Sequence, residues 1–409
     1  MRVLLSTIGS RGDVQPLVAL ASRLRELGQE ARMCAPPDFR DWVEGLGIPF
    51  VPLGPEVIST ARPGSRLMPI RPTAEQVRQM MEGTVATQFE TIPMAAEGCD
   101  VIVAGNALNI ATRSVAEQMG IRYVFAAYCP ITLPSAHHAP PKVLAWKPDD
   151  PAADNLTLWT EDAVRWTETW GPALDSHRAS LGLAPVADVR GHILTDEPWL
   201  AADPTLAPWP DPGDPHVFQT GAWILPDDRP LSVELEAFLE AGEPPVYLGF
   251  GSIRAPQDLS RTMIEASRTL GCRAIVSRGW ADLSLIDDGP DCLSIGEVDQ
   301  QVLFRRVAAV VHHGGAGITT AATRAGAPQV VIPQHHDQHY FAQRVDELGI
   351  GIAHPPVAPT ADSLTRALGQ ALRPAVAARA CNLAPLVSTD GARVAAERLM
   401  ALVARSSRG

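Results

Sequence analysis

The chain has 409 residues, of which 46% are hydrophobic, a globular composition too long for one ordinary core, so two domains are expected. A formal net charge of −12 argues against a nucleic-acid surface. No apolar run approaches the ~20 residues that span a bilayer, no signal-peptide pattern precedes the first strand, and the six cysteines include no C-x-x-C pair, so a cytoplasmic protein with free thiols and no membrane partner is expected.

Arg2 to Ser6 read as a short buried strand and Thr7 to Gly12 as a glycine-rich turn. A helix is expected from Val14, with Val14, Leu17, Val18, Ala21 and Leu24 on one face and Gly28 ending it. A strand from Glu30 to Met33 completes a strand–helix–strand crossover, the unit of a parallel sheet. The turn lacks G-x-G-x-x-G, so it is not a dinucleotide fingerprint. Asp13 has two readings. It is either the N-cap of the helix or a carboxylate at the mouth of the sheet, able to take a proton from a hydroxyl. The two compete, because capping bonds lower a carboxyl pKa.

Residues 52–73 form a proline-, glycine- and arginine-rich loop, followed by a helix over 73–90, a strand over 100–104, a helix over 111–119 and a strand over 123–127. A second irregular stretch, 128–151, carries His137 and His138, which read as surface histidines because no third metal ligand has suitable spacing. The helix over 156–181 bears Trp159, Trp166 and Trp170 as a core stripe. The proline-rich segment around 203–215 marks the domain boundary. The expected division is 1–205 for a first domain, 206–216 for a linker, 217–385 for a second domain and 386–409 for a C-terminal segment.

In the second half, a strand over 245–250 runs into Gly251-Ser252, where Ser252 is either a turn residue or a phosphate ligand. A helix over 257–270 and a strand over 273–277 follow, then Trp280, which is either core or part of a nucleoside pocket. A strand over 292–295 leads to the Glu297–Gln301 loop. The next strand ends in His312-His313-Gly314-Gly315-Ala316-Gly317, and a helix from Ile318 to Ala325 stops at Gly326. Strand, glycine turn and helix together bind anions: the backbone approaches the ligand closely, and the free N–H groups of the first helical turn face it. A histidine there adds a donor. The alternative is a tight turn with a satisfied histidine. A further apolar run, Val330 to Ile332, closes at Pro333 and is followed by Asp337-Gln338, where a strand's carboxyl end opens on a ligand crevice.

HHGGAG followed by DQ resembles the donor-binding motif of the family 1 nucleotide-sugar glycosyltransferases of GT-B fold. The segments MRVLLSTIGSRGDVQPLVAL, ARMCAPPDF, VFQTGAWILPDDRPL, VYLGFGS, SRGWADL and GEVDQQVLF are closer still to the actinobacterial enzymes that glycosylate vancomycin- and teicoplanin-type antibiotics. The resemblance runs from Met1 to about Leu402. It implies an α/β protein of two Rossmann-like, doubly wound parallel-sheet domains facing across a cleft, with the final helix, Ala392 to Val403, crossing back to the first domain. It implies an inverting, metal-independent, monomeric enzyme that needs no cofactor and takes a UDP- or dTDP-sugar as donor and a glycopeptide aglycone as acceptor.

On the same resemblance, Asp13 is the base. Ser10, Ser252, His312, His313, Gly314, Gly315 and Gly317 hold the donor diphosphate. Trp280, Val298 and Gln301 meet the nucleoside, and Asp337 and Gln338 bind the sugar. Many family 1 relatives carry histidine where Asp13 stands, whereas the glycopeptide enzymes carry aspartate. Relatives often carry threonine where Ile318 stands, so one phosphate contact is lost, which either weakens donor binding or shifts the burden to Thr319. His339 replaces a common proline and joins His335 and His336 in an imidazole cluster read as tuning the sugar pocket. The acceptor loops are 55–75 and 129–150. The alternatives are a polyketide, macrolide or sterol-like acceptor for the same chemistry, and a non-catalytic nucleotide-sugar-binding protein.

Overall fold

The computed structural model describes residues 1–61, 73–141, 152–255 and 258–406. Parts of both expected acceptor loops, 62–72 and 142–151, therefore lie outside the described residues.

Thirteen strands form two parallel sheets among the described residues. The first contains β1 (Arg2–Thr7), β2 (Glu30–Ala35), β3 (Phe50–Pro52), β4 (Val101–Gly105), β5 (Arg122–Ala127), β6 (Trp199–Leu200) and β7 (Phe218–Gln219), in the order β3-β2-β1-β4-β5-β6-β7. The second contains β8 (Val246–Gly249), β9 (Ala274–Ser277), β10 (Cys292–Ile295), β11 (Ala309–His312), β12 (Gln329–Val331) and β13 (Gly351–Ala353), in the order β10-β9-β8-β11-β12-β13. Each sheet reverses direction once, between β1 and β4 and between β8 and β11, which is where doubly wound sheets open a ligand crevice. The central strands are apolar on both faces because helices cover both: β4, Val-Ile-Val-Ala-Gly, is buried at every residue.

The domain boundary differs from the expected one. Phe218–Gln219 pairs in parallel with Trp199–Leu200, so the first sheet extends past Val217, where the second domain was expected to open. The expected linker is not a solvated spacer either. Leu206, Ala207 and Trp209 are buried in a core cluster with Leu133 and Trp170. Proline content signals a stiff path, but the apolar side chains between the prolines decide that the path is covered. The covalent crossing comes after β7, through Gly221 to Leu231.

A second crossing brings the chain home. The Gly391–Ser406 helix lays Ala392, Ala395, Ala396 and Leu399 into the core built by the Arg11–Glu26 helix, as expected for a returning tail. At the two crossings, backbone meets backbone: a Cβ on Gly391 would sit 2.4 Å from the carbonyl carbon of Gly221. Asp203, fully buried, accepts the Ser388 N–H at 2.8 Å and ties the crossings together.

The domains also share a core. Phe341, on the Asp337–Glu347 helix of the second domain, is buried with Ala127, Cys129 and Leu133 of the first. Arg344 of the same helix donates to the carbonyl of Leu206 at 3.0 Å. All six cysteines are free. Among the described residues, no helix is long and apolar enough to cross a membrane.

Candidate active site

The two switch points face one another. From the first sheet, β1 delivers the turn Ile8–Ser10 and the opening of the Arg11–Glu26 helix, while β4 delivers Asn106. The helix starts at Arg11 rather than Val14. Ser10 is its N-cap and Asp13 its third residue, so Asp13 is not the cap itself. Its carboxylate reaches back to accept the Ser10 N–H at 2.8 Å on Oδ2, the reciprocal half of a capping box. Oδ1 accepts Asn106 Nδ2 at 3.0 Å. Gly9 makes room, since a Cβ there would lie 2.2 Å from Asp13 Oδ2. Burial pushes the Asp13 carboxyl above its usual range, and the bonds from Asn106 and Ser10 pull partly the other way. Asp13 thus makes a cap-type bond without being the N-cap, and burial raises its proton affinity despite that bond.

Asn106 was missed in the sequence. It adopts φ 71° and also donates to the Ile8 carbonyl at 2.7 Å, so one amide pins the turn and the carboxylate together. Its only sequence signal is an asparagine directly after a buried strand, a common turn residue.

From the second sheet, β11 delivers the glycine loop. His312 is fully buried, and both ring nitrogens are engaged: Nε2 pairs with Gln329 Oε1 at 2.9 Å and Nδ1 accepts the Gly314 N–H at 3.0 Å. The expectation that His312 touches the diphosphate is therefore corrected. It holds the loop from beneath, and burial drops its pKa to about 4. His313 differs. It is 9% exposed, and its buried Nδ1 has no partner among the described residues. Nε2 lies over Gly315, where a Cβ would approach it to 2.6 Å, so glycine alone leaves that edge open. Burial, then the neighbouring His312, lower the His313 pKa to about 3.

Gly315 caps the Ala316–Ala325 helix with no side-chain bond to its first N–H groups, and a Cβ on Gly317 in that first turn would meet nothing within 4 Å. This end of the helix presents free amides to open space, the geometry of an anion site. Ile318 packs into the second domain's core. Thr319 is fully buried and donates its hydroxyl to the Gly315 carbonyl at 2.8 Å, so it does not take over a phosphate contact. Ser252, half-buried, lies in the turn after β8.

Asp337 opens the Asp337–Glu347 helix. Burial, and then the charge of Asp13, raise its pKa to about 7. The charge of Asp13 acts on Asp337 across the cleft, which puts the two carboxylates in one site. Gln338 uses its Oε1 to accept the N–H groups of Gln334 at 2.8 Å and His335 at 3.1 Å, holding the loop before the helix. The rings of His335 and His336 are 6.3 Å apart, and no group of three or more metal-ligating side chains is gathered among the described residues.

The nucleoside-side residues divide. Val298 packs against the second core. Gln301 is engaged at both ends of its amide, donating to the Leu225 carbonyl at 3.0 Å and accepting from Arg324 at 3.1 Å, so its side chain braces the crossing segment. Trp280 packs on the first domain's core, 6.0 Å from Phe39. His138 is a structural residue, its ring edge-on to Trp159 and Trp209.

Residues 3–137 match the family model "Glycosyltransferase family 28 N-terminal domain", and residues 273–390 match "Erythromycin biosynthesis protein CIII-like, C-terminal domain". The chain is 54% identical to Glycosyltransferase GtfE of Amycolatopsis orientalis, over 98% of each chain. It is 53% identical to the vancomycin aglycone glucosyltransferase of the same organism, over 99% of this chain and 98% of the relative. Among solved structures, the glycosyltransferase of kitacinnamycin superposes with a TM-score of 0.71 at 20% identity, covering 98% of both chains. A Streptomyces glycosyltransferase, SsfS6, in complex with thymidine diphosphate superposes at 0.64 with 21% identity, covering 98% of this chain and 99% of that one. With its two facing doubly wound sheets and its full-length likeness to these enzymes, the chain belongs to the nucleotide-sugar-dependent glycosyltransferases of GT-B fold.

Proposed function

We propose that this protein transfers a sugar, with inversion, from a dTDP- or UDP-sugar to a hydroxyl of a glycopeptide antibiotic aglycone. The observation that carries the mechanism is the Asp13 carboxylate held by Ser10 and Asn106 at the first sheet's switch point, near enough to Asp337 of the other domain for its charge to act there. The acceptor class rests on the 53% identity to a vancomycin aglycone glucosyltransferase. The donor class rests on the thymidine diphosphate held by a structural neighbour.

Asp13 is the general base. Oδ2 accepts the Ser10 N–H and, at 3.4 Å, the Ser10 hydroxyl, while Oδ1 accepts only Asn106 Nδ2 and keeps a lone pair for the incoming hydroxyl. The raised pKa makes it a stronger base than an exposed aspartate, a contribution of ~10²–10⁴-fold in rate for a well-placed group. The leaving diphosphate lies at the start of the Ala316–Ala325 helix, where the free amides of Gly315 and Gly317 and the helix dipole meet its growing charge. Ser252, in the turn after β8, adds a hydroxyl donor, while the Ser10 hydroxyl is turned to Asp13 Oδ2 at 3.4 Å.

His313 works as a neutral donor. A buried lone pair is cheaper to leave unpaired than a buried N–H, so the proton sits on Nε2, the edge open over Gly315. Asp337, near half-protonation at neutral pH, both donates to and accepts from sugar hydroxyls. Gln338 keeps its amide donors for the sugar while its carbonyl holds the loop.

The test is a panel of dTDP- and UDP-sugars offered with vancomycin-type and teicoplanin-type aglycones, read by mass. One donor–aglycone pair gaining the mass of a single sugar, with nucleoside diphosphate released only when aglycone is present, supports the reading. Donor binding without transfer to any of these aglycones overturns it.

A further inference from the structure

The opening turn of the Arg11–Glu26 helix sends two side chains in different directions. Asp13 goes to the cleft floor. Arg11 spans the cleft mouth. Its guanidinium carbon lies 3.4 Å above the centre of the Trp42 ring, and Nε donates to Gln15 Oε1 at 2.9 Å. Nη1 stands 3.7 Å from Glu297, on the second domain's loop after β10. Trp42 is edge-on to Phe39 at 6.3 Å, and Phe39 meets Trp280 of the second domain at 6.0 Å.

Trp280 is not a loose end. Its backbone N–H donates to the Gly251 carbonyl at 2.9 Å. Gly279, at φ 55°, admits that contact, because a Cβ there would lie 2.4 Å from the same oxygen. Gly251 in turn lies under the His313 ring, 3.2 Å from Cε1 to where its Cβ would be. A continuous chain of contacts therefore runs from the turn of Asp13 through Arg11, Trp42, Phe39, Trp280 and Gly251 to His313. The ion pair at its edge is weak, since Glu297 is two-thirds exposed and salt screens it. The aromatic contacts, which exclude water and demand a fixed geometry, dominate.

We propose that Phe39 and Trp280, backed by Trp42 and Arg11, are positioning residues that close the two domains on the donor and set the reach from Asp13 to the reacting carbon, with Trp280 serving this contact rather than stacking on the nucleobase. The role rests on the reading of Asp13 and His313 given above. Rates are steep in such distances, a misplacement of about 1 Å costing ~10²-fold.

The experiment uses the full chain and the variants F39A, W280A, F39A/W280A and W280F, each checked for folding by circular dichroism. Three readouts are taken: kcat, binding of dTDP and UDP by calorimetry, and the radius of gyration by X-ray scattering with dTDP bound. The expected result is a fall in kcat of roughly ten- to a hundredfold for either single alanine variant, with nucleotide affinity within about threefold of the parent. The double variant falls no further than the worse single one, because both remove one contact. W280F recovers most of kcat, and the alanine variants stay more open than the parent with dTDP.

A W280A protein that loses nucleotide affinity about tenfold or more with kcat retained, while F39A changes nothing, makes Trp280 a base platform and overturns the proposal. So does an unchanged radius of gyration. Absence of transfer by the parent sinks the functional reading alone, since binding and closure still judge the latch.

Discussion

At the scale of single residues, the site is a contest over one proton. Burial pushes Asp13 to hold it, and the hydrogen bonds from Asn106 and from the Ser10 backbone and hydroxyl push it off. Replacing Asp13 by Asn removes the proposed base but keeps a similar shape, so turnover should fall by ~10²–10⁴-fold while dTDP affinity in calorimetry stays near the parent's. Near-normal turnover would remove Asp13 from the role. The Asn106 bond favours the ionised carboxylate, so Asn106→Ala should raise the Asp13 pKa further. The acid limb of the kcat/KM profile then moves to higher pH, and the loss is larger at pH 6 than at pH 8. An acid limb that stays in place would mean Asn106 does not touch the ionising group.

At the scale of elements, β11 shows how the loop proposed to hold the diphosphate is supported from behind. His312 takes the Gly314 N–H and leans on Gln329, which donates to Thr323 at 3.0 Å. That support makes stability depend on pH. The folded-state pKa is about 4 against an ordinary 6.5. Above the ordinary value the imidazole is neutral folded or unfolded. As pH falls from there towards about 4, the unfolded chain takes up a proton that the folded one refuses, so stability is lost. The thermal midpoint should drop between pH 7.5 and 5, and His312→Gln, which keeps a donor and an acceptor but does not titrate, should drop less. Parallel curves for the two proteins would exclude the histidine as a source.

At the scale of the whole molecule, two chain crossings, the shared core around Phe341 and the contacts of Phe39 with Trp280 and Arg11 with Glu297 connect the domains. The crossings meet at Gly221 and Gly391, with Asp203 binding Ser388 beside them. Opposite them, Phe39 meets Trp280. A pivot on one side and a latch on the other allow closure by rotation, the behaviour of hinge domains around a ligand. Adding a methyl at Gly391 forces the two backbones apart, so Gly391→Ala should change kcat and KM together and lower the thermal midpoint. Unaltered kinetics would show that the crossings are not the pivot.

The sequence by itself determined what depends on local order. Doubly apolar runs made parallel strands, glycine after a strand made a tight turn into a helix, and the motifs from Met1 to Gln338 named the family and put Asp13, His313 and Asp337 forward as candidates. These are legible because strand burial and turn geometry involve neighbours within a few residues. Only the tertiary structure decided the rest. Adjacent histidines look alike in a string, but one faces Gln329 in the core and the other the open edge of Gly315. Asn106 joins Asp13 across 93 positions, Trp280 finds Phe39 in the other domain, and β7 returns to the first sheet beyond its proline-rich path. Each depends on which surfaces meet when two sheets pack, and no local pattern carries that information.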